Sequence, residues 1–250
     1  MGCIKKLLFR MKKAIDTISY MTLSTTSTSA TWSPQTVTNT GATLTWDVTG
    51  DIAPTSQNLD VPTFDLSANT GTVNMNVYDV SNLTIFEYVS GNITAIDVSH
   101  ATSLSQLNLN ANQLTSLDVT KNPHLVSLGF NNSSITTIDL SNNLLLQDFY
   151  PQYCPITSLN LSLNTALINV YADNMAIPSL DISNNINITY LSVQANNMIP
   201  SATDQIFIDL DANGKSNGTL TIRNNRTSAS DAARANLITK GWTITDTYTT

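Results

Sequence analysis

The chain repeats a pattern of apolar residues every 21 positions from Leu83 onward, and this period constrains the fold more than any other feature. Five full units follow one another without a slip, and a sixth begins at Ile188. Within each unit apolar residues recur at the same further positions, as at Leu114, Leu117 and Val119. A fixed period of this length predicts a solenoid, in which each coil buries its apolar residues by stacking on its neighbours.

Three of the units read LSQLNLNANQLTSLDVTKNPH, LVSLGFNNSSITTIDLSNNLL and LINVYADNMAIPSLDISNNIN. They resemble leucine-rich repeats of the short bacterial, internalin-like type, L-x-x-L-x-L-x-x-N-x-L, over residues 83–198. The resemblance implies an α+β, mainly β fold, a right-handed leucine-rich repeat solenoid with a parallel sheet. The sheet is expected to form around buried residues in successive coils: Leu107, Leu128, Phe149, Val170 and Leu191. The Asn of the family pattern is replaced in four of six units, so its ladder is broken: Gly91, Asn112, Ser133, Cys154, Met175 and Asn196.

The segment before the repeats predicts a cap for one open end of the solenoid. Residues 22–82 are rich in Thr and Ser and contain two alternating stretches, ATLTWDVTG and VNMNVYDVSN, that are typical of half-buried strands. We therefore expect a β-rich N-terminal cap over 22–82, followed by the solenoid over 83–200.

Residues 201–250 predict a C-terminal cap in which two helices alternate with two strands. The runs NGTLTI, AARANL and KGWTIT resemble a terminal cap of leucine-rich repeat proteins from bacteria and their phages. Ser228 and Asp231 have the spacing of a capping box, and Gly241 suits the end of the second helix. The expected elements are a helix over 201–215, a strand over 218–222, a helix over 230–240 and a strand over 242–245.

Charge divides the chain into a short basic start and a long acidic body. Five of the eleven basic residues lie in the first 13 positions, so residues 14–250 hold six basic and 18 acidic residues, a net charge of −12. Such a body repels nucleic acid and anionic membranes, so neither is an expected partner. No stretch approaches the length of about 18 apolar residues that a transmembrane helix needs.

The first 21 residues, MGCIKKLLFRMKKAIDTISYM, form a separate basic segment. Charged residues interrupt every run that could serve as the apolar core of a signal peptide. Apolar residues at helical spacing form a stripe opposite the basic ones, which predicts an amphipathic anchor that packs against another virion or surface protein. The stripe includes Leu7, Leu8, Met11 and Ile15. The alternative is a frayed tail.

No arrangement of residues supports catalysis, so the protein is expected to be no enzyme and to bind no metal or cofactor. A Gly-rich phosphate loop, a Cys and His metal spacing and a Ser, His and Asp set are all missing from the sequence. Asp209, Asp211 and Asn213 match half of a calcium loop, but Leu220 stands where the bidentate Glu belongs, which favours a helix end instead. Cys154 is expected to be a buried structural thiol.

Carboxylates recur on the predicted convex side of the coils. At a spacing of about 5 Å they repel each other by about 1 kcal/mol in water, so each is expected to accept a hydrogen bond from the backbone of its own turn. The alternative is a calcium ladder. The column contains Asp97, Asp118, Asp139 and Asp181, with Asn160 in the equivalent position.

Alternate residues of each strand point away from the core and define the concave face, where solenoids of this type usually bind. In the first coils these residues are polar and carry no distinctive chemistry. In the later coils they combine aromatic rings with amides and carboxylates, which suits stacking on a sugar or anchoring a protein. The predicted ligand-binding residues are Asp148, Tyr150, Gln152, Asn169, Tyr171, Asp173 and Tyr190. The alternative is that they are merely tolerated surface residues.

The sequence favours a non-enzymatic recognition or structural module displayed on a surface. A phage virion protein that binds a host glycan or protein through the concave face is the favoured interpretation, because a particle assembled inside the cell needs no export signal. The alternative is a bacterial protein-binding scaffold, either exported or cytosolic. The expected location is the virion or an extracellular surface, or the cytoplasm under the alternative, and an oligomer is compatible with both. The fold alone does not name the ligand.

Overall fold

The computed structural model describes residues 20–29, 32–39, 43–50, 55–58, 62–223 and 225–246. The strands are β1 (Tyr20–Thr25), β2 (Thr36–Asn39), β3 (Thr45–Gly50), β4 (Thr55–Asn58), β5 (Val73–Tyr78), β6 (Leu83–Glu87), β7 (Ile93–Asp97), β8 (Gln106–Asn108), β9 (Ser127–Gly129), β10 (Asp148–Tyr150), β11 (Asn169–Tyr171), β12 (Tyr190–Ser192), β13 (Thr219–Ile222) and β14 (Thr243–Asp246). The helices are α1 (Pro200–Ala212) and α2 (Asp231–Thr239), with short 3-10 helices at Val80–Asn82 and Ser228–Ser230. The predicted anchor residues Leu7, Leu8, Met11 and Ile15 lie outside the described residues.

An antiparallel sheet of order β4-β3-β5-β1-β7 joins the segment before the repeats to the first coil. Strands β3 and β5 alternate between buried apolar and more exposed polar residues, so one face enters the core. In β5, for example, Val73, Met75 and Val77 are fully buried. Strand β7 belongs to the first coil and pairs with β1, which continues the N-terminal sheet into the repeats.

Aromatic rings fill the junction between this sheet and the first coil. Trp32 is buried, and its ring centroid lies 6.4 Å from that of Trp46, 6.3 Å from that of Phe64 and 4.6 Å from that of Tyr88. Since Tyr88 follows β6 of the first coil, these contacts bury the apolar end of the solenoid. Rings of this size contribute much of the stability of a small core.

A second sheet runs along the repeats in the order β14-β13-β12-β11-β10-β9-β8-β6-β2. The pairs from β6 through β14 are parallel, whereas β2 pairs antiparallel with β6. Strands of successive coils are in register at the 21-residue spacing and align their buried residues: Leu107, Leu128, Phe149, Val170 and Leu191. The predicted mainly β fold with a parallel sheet is confirmed, and the right-handed sense of the solenoid stays a prediction.

Each coil leaves the sheet through a residue with left-handed backbone conformation. A φ between 51° and 60° recurs every 21 residues, at Ser90, Ala111, Asn132, Tyr153, Asn174 and Ala195. The backbone N–H of the first five donates to a carbonyl of the next coil, as from Asn132 to Gln152 at 2.9 Å. This hydrogen bond offsets part of the free-energy cost of the left-handed backbone conformation, which L-residues disfavour.

Buried asparagines bind successive coils together where each coil turns. Four of them recur at the 21-residue spacing and are at most 1% exposed: Asn122, Asn143, Asn164 and Asn185. The Nδ2 group of each donates to two backbone carbonyls of the preceding coil; for Asn143 these belong to Val119, at 3.1 Å, and Asn122, at 2.9 Å. This asparagine ladder occupies a different column from the Asn of the family pattern.

The ladder in the family column is broken, as expected. There Asn112 accepts from two backbone N–H groups of the preceding coil and donates to the carbonyl of Tyr88 at 2.7 Å. Two coils further on, Cys154 contacts the hydroxyl of Ser133 at 3.2 Å. Cys154 is buried, and burial raises the pKa of its thiol, which agrees with a structural role.

The C-terminal elements differ in detail from those expected. Helix α1 begins at Pro200, whose missing N–H costs nothing in the first turn, and ends at Ala212. The predicted capping box is wrong. Ser228 lies inside the 3-10 helix, and Thr227 caps that helix by accepting the backbone N–H of Ala229 at 3.1 Å. Ser230, which directly precedes α2, makes no capping bond and donates to the buried carboxylate of Asp204 at 2.6 Å.

Candidate functional site

Two rows of outward-facing side chains cross the parallel strands, and we call the surface they form the sheet face. One row contains Glu87, Asn108, Gly129, Tyr150 and Tyr171. The other contains Ile85, Gln106, Ser127, Asp148, Asn169 and Tyr190. The residues between the two rows are buried, so both rows point away from the core as strand alternation predicts.

Three tyrosine rings stack on one another across β10, β11 and β12. The ring centroids of Tyr150 and Tyr171 are 5.0 Å apart at an interplanar angle of 27°, and those of Tyr171 and Tyr190 are 4.3 Å apart at 25°. All three side chains are partly exposed, and Tyr150 and Tyr171 lie side by side as predicted. Because Tyr171 is stacked between two rings, it offers a ligand its edge, whereas Tyr150 keeps one face toward β9.

The phenol groups of Tyr150 and Tyr190 are neutral near pH 7. Partial burial raises the pKa of Tyr150, and the nearby Asp148 carboxylate and Tyr171 raise it further. Partial burial also raises the pKa of Tyr190, with Tyr171 as the next cause. These hydroxyls can therefore act as hydrogen-bond donors and acceptors in recognition.

Asp148 and Asn169 form a hydrogen-bonded pair beside the tyrosine stack. The Nδ2 group of Asn169 donates to Asp148 Oδ1 at 2.6 Å, which orients both side chains. Gln152 lies just beyond β10 and is partly buried, and its Oε1 has no hydrogen-bond partner in the described ranges. The structure places Asp148 and Asn169 beside the tyrosine stack and Gln152 just after the strand of Tyr150, and the role of all three residues in binding stays a prediction.

The side chain of Asp173 does not lie on the exposed sheet face, where it was predicted. It is buried, and Oδ1 accepts hydrogen bonds from Ser192 Oγ at 2.6 Å and from the backbone N–H of Gln194 at 2.9 Å. Burial raises the pKa of this carboxyl, and the two hydrogen bonds oppose the rise. Asp173 therefore connects two coils and is not an exposed acceptor for a ligand.

An open cavity of about 250 Å³ lies on the sheet face beside Tyr150. Its walls are formed by Glu87, Gln106, Leu107, Asn108, Asn110, Ser127, Gly129 and Tyr150. Gly129 contributes to the opening because it places no side chain between Asn108 and Tyr150, and the amide of Asn110 lies beside it, with Oδ1 3.0 Å from the position of a Cβ. With strands about 4.8 Å apart, the missing side chain leaves about 10 Å between the positions of Asn108 and Tyr150.

This cavity was not predicted from the sequence, because the outward residues of the first coils are polar and carry no distinctive chemistry. The signal that could have found it is Gly129 itself. Gly129 lacks a side chain, whereas the other residues of its row carry large ones: Glu87, Asn108, Tyr150 and Tyr171. A glycine between an amide and an aromatic ring on neighbouring strands indicates a recess in an otherwise filled surface.

Other residues singled out in the sequence serve structural roles. Asp118 and Asp139 each accept the backbone N–H two residues ahead at 2.9 Å, as predicted, and these bonds lower the pKa of both carboxyls. Asp209 and Asp211 lie in the last turn of α1, as the helix-end interpretation requires. Within the described ranges, no group of three or more His, Cys, Asp or Glu side chains could hold a metal ion. No helix in the described part of the chain combines the length and apolarity needed to cross a membrane.

No protein-family model matches the sequence, and no curated protein matches it. Among solved structures, the functional domain of InlJ from Listeria monocytogenes, described as including a cysteine ladder, is 17% identical with a TM-score of 0.34; the match covers 76% of this chain and 56% of that one. The leucine-rich repeat protein LIC12759 from Leptospira interrogans is 20% identical with a TM-score of 0.36, covering 45% of this chain and 37% of that one. The architecture described above rests on the strand register of this chain itself.

Proposed function

We propose that the protein is a non-enzymatic recognition module that binds a ligand on its sheet face. The observation that carries this proposal is the stack of three partly exposed tyrosine rings bordering an open, mostly polar cavity. Exposed rings beside hydrogen-bonding groups are typical of surfaces that bind proteins or glycans. A solenoid suits this role because its stacked coils hold residues distant in sequence at a fixed spacing.

We further propose that the module is carried on a phage particle and that its ligand is a host glycan or protein. The support comes from the sequence, which combines an acidic body with a basic amphipathic segment. A contact with one ring contributes about 0.5–1.5 kcal/mol beyond area burial, so a single copy binds weakly. Many copies on one particle would bind strongly through avidity.

Adsorption to host cells tests the binding role of the sheet face. Beads coated with the full chain are mixed with cells of the host bacterium, and the adsorbed fraction is measured. Beads that carry the double variant Tyr150→Ala/Tyr171→Ala are compared with beads that carry the single variant Tyr153→Ala. The control removes a ring that is 56% exposed and lies outside the stack. We expect the double variant to adsorb at least about tenfold less, since avidity multiplies the loss at each copy, while the control adsorbs normally. Undiminished adsorption of the double variant would exclude the sheet face as the binding site.

Deletion of residues 1–19 tests the predicted anchor. The deletion must stop there because β1 begins at Tyr20 and lies between β5 and β7. The shortened chain should keep its circular dichroism spectrum and melting temperature yet be absent from purified particles, as measured by mass spectrometry of particles and cell fractions. Normal incorporation of the shortened chain would contradict an anchor in this segment.

A second candidate, a bacterial protein-binding scaffold, is supported by apolar side chains exposed on successive coil turns. These side chains are about half exposed, and such clusters on a soluble surface often mark protein contacts. They are Leu144 (53%), Leu145 (49%), Leu163 (54%) and Ile186 (52%). Detection of the full chain in cell fractions and never in particles would favour this candidate over the virion protein.

A further inference from the structure

We propose that the cavity beside Tyr150 is a subsite for one pyranose ring of an uncharged glycan. The inference rests on the proposed function of the sheet face and names its ligand class. It also moves the centre of recognition from the tyrosine stack to the neighbouring coils, where Gly129 opens the surface. The proposal depends on four properties of the cavity: an aromatic wall, unengaged polar groups, size and charge.

The aromatic wall is the free face of Tyr150. Its other face stacks on Tyr171, which holds the ring in place, and the residue opposite on β9 is Gly129, which leaves the free face open. The π-face of an aromatic ring is electron-rich and attracts the weakly positive C–H groups that line one face of a pyranose. A ring that is already fixed loses little conformational entropy when a ligand stacks on it.

The polar wall offers hydrogen-bonding groups that the protein leaves largely unused. Within the described ranges, neither the side-chain amide of Gln106 nor the hydroxyl of Ser127 has a hydrogen-bond partner, and both line the cavity. Asn108 Oδ1 accepts a long bond of 3.3 Å from the backbone of Asn110, which leaves its Nδ2 group available as a donor. Amides and hydroxyls both donate and accept, as sugar hydroxyls require.

Size and polarity favour a sugar over a protein side chain. The volume of about 250 Å³ is below the range of about 300–1,000 Å³ for sites that enclose drug-sized ligands, and it suits one sugar ring. Protein hot spots instead fill well-packed, desolvated pockets at the apolar centre of an interface. In this cavity the side chains other than Leu107 and Tyr150 are polar, apart from the glycine.

Charge excludes acidic sugars. Glu87 lines the cavity, and Asp148 lies two residues before Tyr150 on β10, so the local field is negative. Lys121 is the sole basic residue between positions 14 and 214 of the sequence, and it lies on an exposed turn. With no cation at the cavity to pair with a carboxylate, sulfate or phosphate, the subsite selects a neutral ring.

Nuclear magnetic resonance of the full chain with simple glycosides tests the proposal. The probes are the methyl glycosides of glucose, galactose, mannose and N-acetylglucosamine, with methyl glucuronide as the acidic comparison. We expect at least one neutral glycoside to shift the backbone amide of Gly129 and the side-chain amide of Asn108, with a Kd on the order of 1 mM. Methyl glucuronide should bind at least about tenfold more weakly than its neutral counterpart, because two carboxylates oppose it.

Two variants locate the binding in the cavity. Gly129→Leu fills the recess, and its backbone is not in the left-handed region that would forbid a side chain. The new Cβ would lie 3.0 Å from Asn110 Oδ1, which accepts the backbone N–H of Asn131 at 2.8 Å, so the amide of Asn110 must shift. Tyr150→Leu removes the aromatic face but keeps an apolar side chain, so it remains informative if the first variant misfolds. Each should weaken glycoside binding at least about tenfold, and Tyr153→Ala should leave it unchanged.

The outcomes separate this proposal from the function on which it rests. The sugar subsite is overturned if no neutral glycoside shifts the Gly129 amide, or if Gly129→Leu and Tyr150→Leu both bind the glycoside as tightly as the parent chain does. If cell adsorption then still depends on Tyr150 and Tyr171, the recognition module stands and its ligand is a protein. If a glycoside binds at Gly129 but the Tyr150→Ala/Tyr171→Ala variant adsorbs to cells as well as the parent chain, the subsite stands and the proposed role of the tyrosine stack fails.

Discussion

Asn143→Ala should destabilise the protein although it removes a polar side chain from the interior. Asn143 is fully buried, and its Nδ2 group donates to the carbonyls of Val119 at 3.1 Å and Asn122 at 2.9 Å. Each carbonyl also accepts one backbone N–H, from Asn122 at 3.0 Å and Leu125 at 3.2 Å respectively. Neither carbonyl loses all of its hydrogen bonds, so each lost bond lowers the free energy of unfolding by about 1 kcal/mol. A buried carbonyl left with no hydrogen bond would instead cost about 3 kcal/mol.

Two further contributions to this free energy nearly cancel. The truncated amide leaves a small void, which costs about 1 kcal/mol in a packed interior. The same truncation removes Asn143 Oδ1, a buried oxygen without a hydrogen-bond partner in the described part of the chain. Removing a buried oxygen that has no hydrogen bond raises the free energy of unfolding by about 1 kcal/mol or more. The two lost bonds therefore set the expected destabilisation at about 2 kcal/mol, or about 4–8 °C in melting temperature for a chain of this size.

The matched control is Asn142→Ala, which removes the same chemical group one residue earlier. Asn142 is exposed, and the carbonyl of Thr120 to which it donates, at 3.0 Å, can bind water instead. We expect this variant to lie within about 0.5 kcal/mol of the parent chain. Urea and thermal unfolding followed by circular dichroism measure both variants. Equal stabilities for Asn142→Ala and Asn143→Ala would show that the buried ladder contributes nothing and would refute the reasoning.

Other contacts around the sheet face predict further outcomes. Tyr171→Ala should destabilise the chain about twice as much as Tyr150→Ala in urea unfolding, because Tyr171 stacks on two rings and Tyr150 on one, each stack contributing about 0.5–1.5 kcal/mol; equal losses would contradict this. In carbon-13 NMR titration the pKa of Asp173 should exceed its ordinary value because of burial, and Ser192→Ala should raise that pKa further by removing a bond to the charged form; a lower pKa in the variant would disprove the assignment. Since the folded-state pKa is raised, the contribution of Asp173 to stability is complete below the unfolded pKa and is lost as the pH rises through the folded one. In a Cys3→Ser variant, whose one remaining thiol is Cys154, Ellman's reagent should react on unfolding and not before, so rapid labelling of that native variant would contradict the structural role of Cys154.

The error at Asp173 shows where strand alternation stops being informative. Alternation predicts an outward side chain two residues after Tyr171, but β11 ends at Tyr171 itself. Asp173 lies in the turn that follows, where the chain bends toward the next coil and the carboxylate meets Ser192. Strands of three residues are too short for a period of two to extend beyond them.

The asparagine ladder is periodic in the sequence, but its burial is not evident there. Its four members recur at the same 21-residue spacing as the apolar columns. Asparagine is common in exposed turns, so an asparagine in a turn carries no signal of burial by itself. The column becomes meaningful once stacking places the backbone carbonyls of the preceding coil against each side chain, as for Asn143.

The coil length, the register of the strands and the outward position of the tyrosines all follow from the 21-residue pattern of the chain. A stacked coil buries an apolar residue only if that residue returns to the same place in every turn, so the sequence must carry the period. Which polar groups bond within the protein and which remain for a ligand is evident only once the coils are stacked. Hydrogen bonds between coils join residues that no local pattern relates, and a recess such as that at Gly129 is a property of three neighbouring strands together.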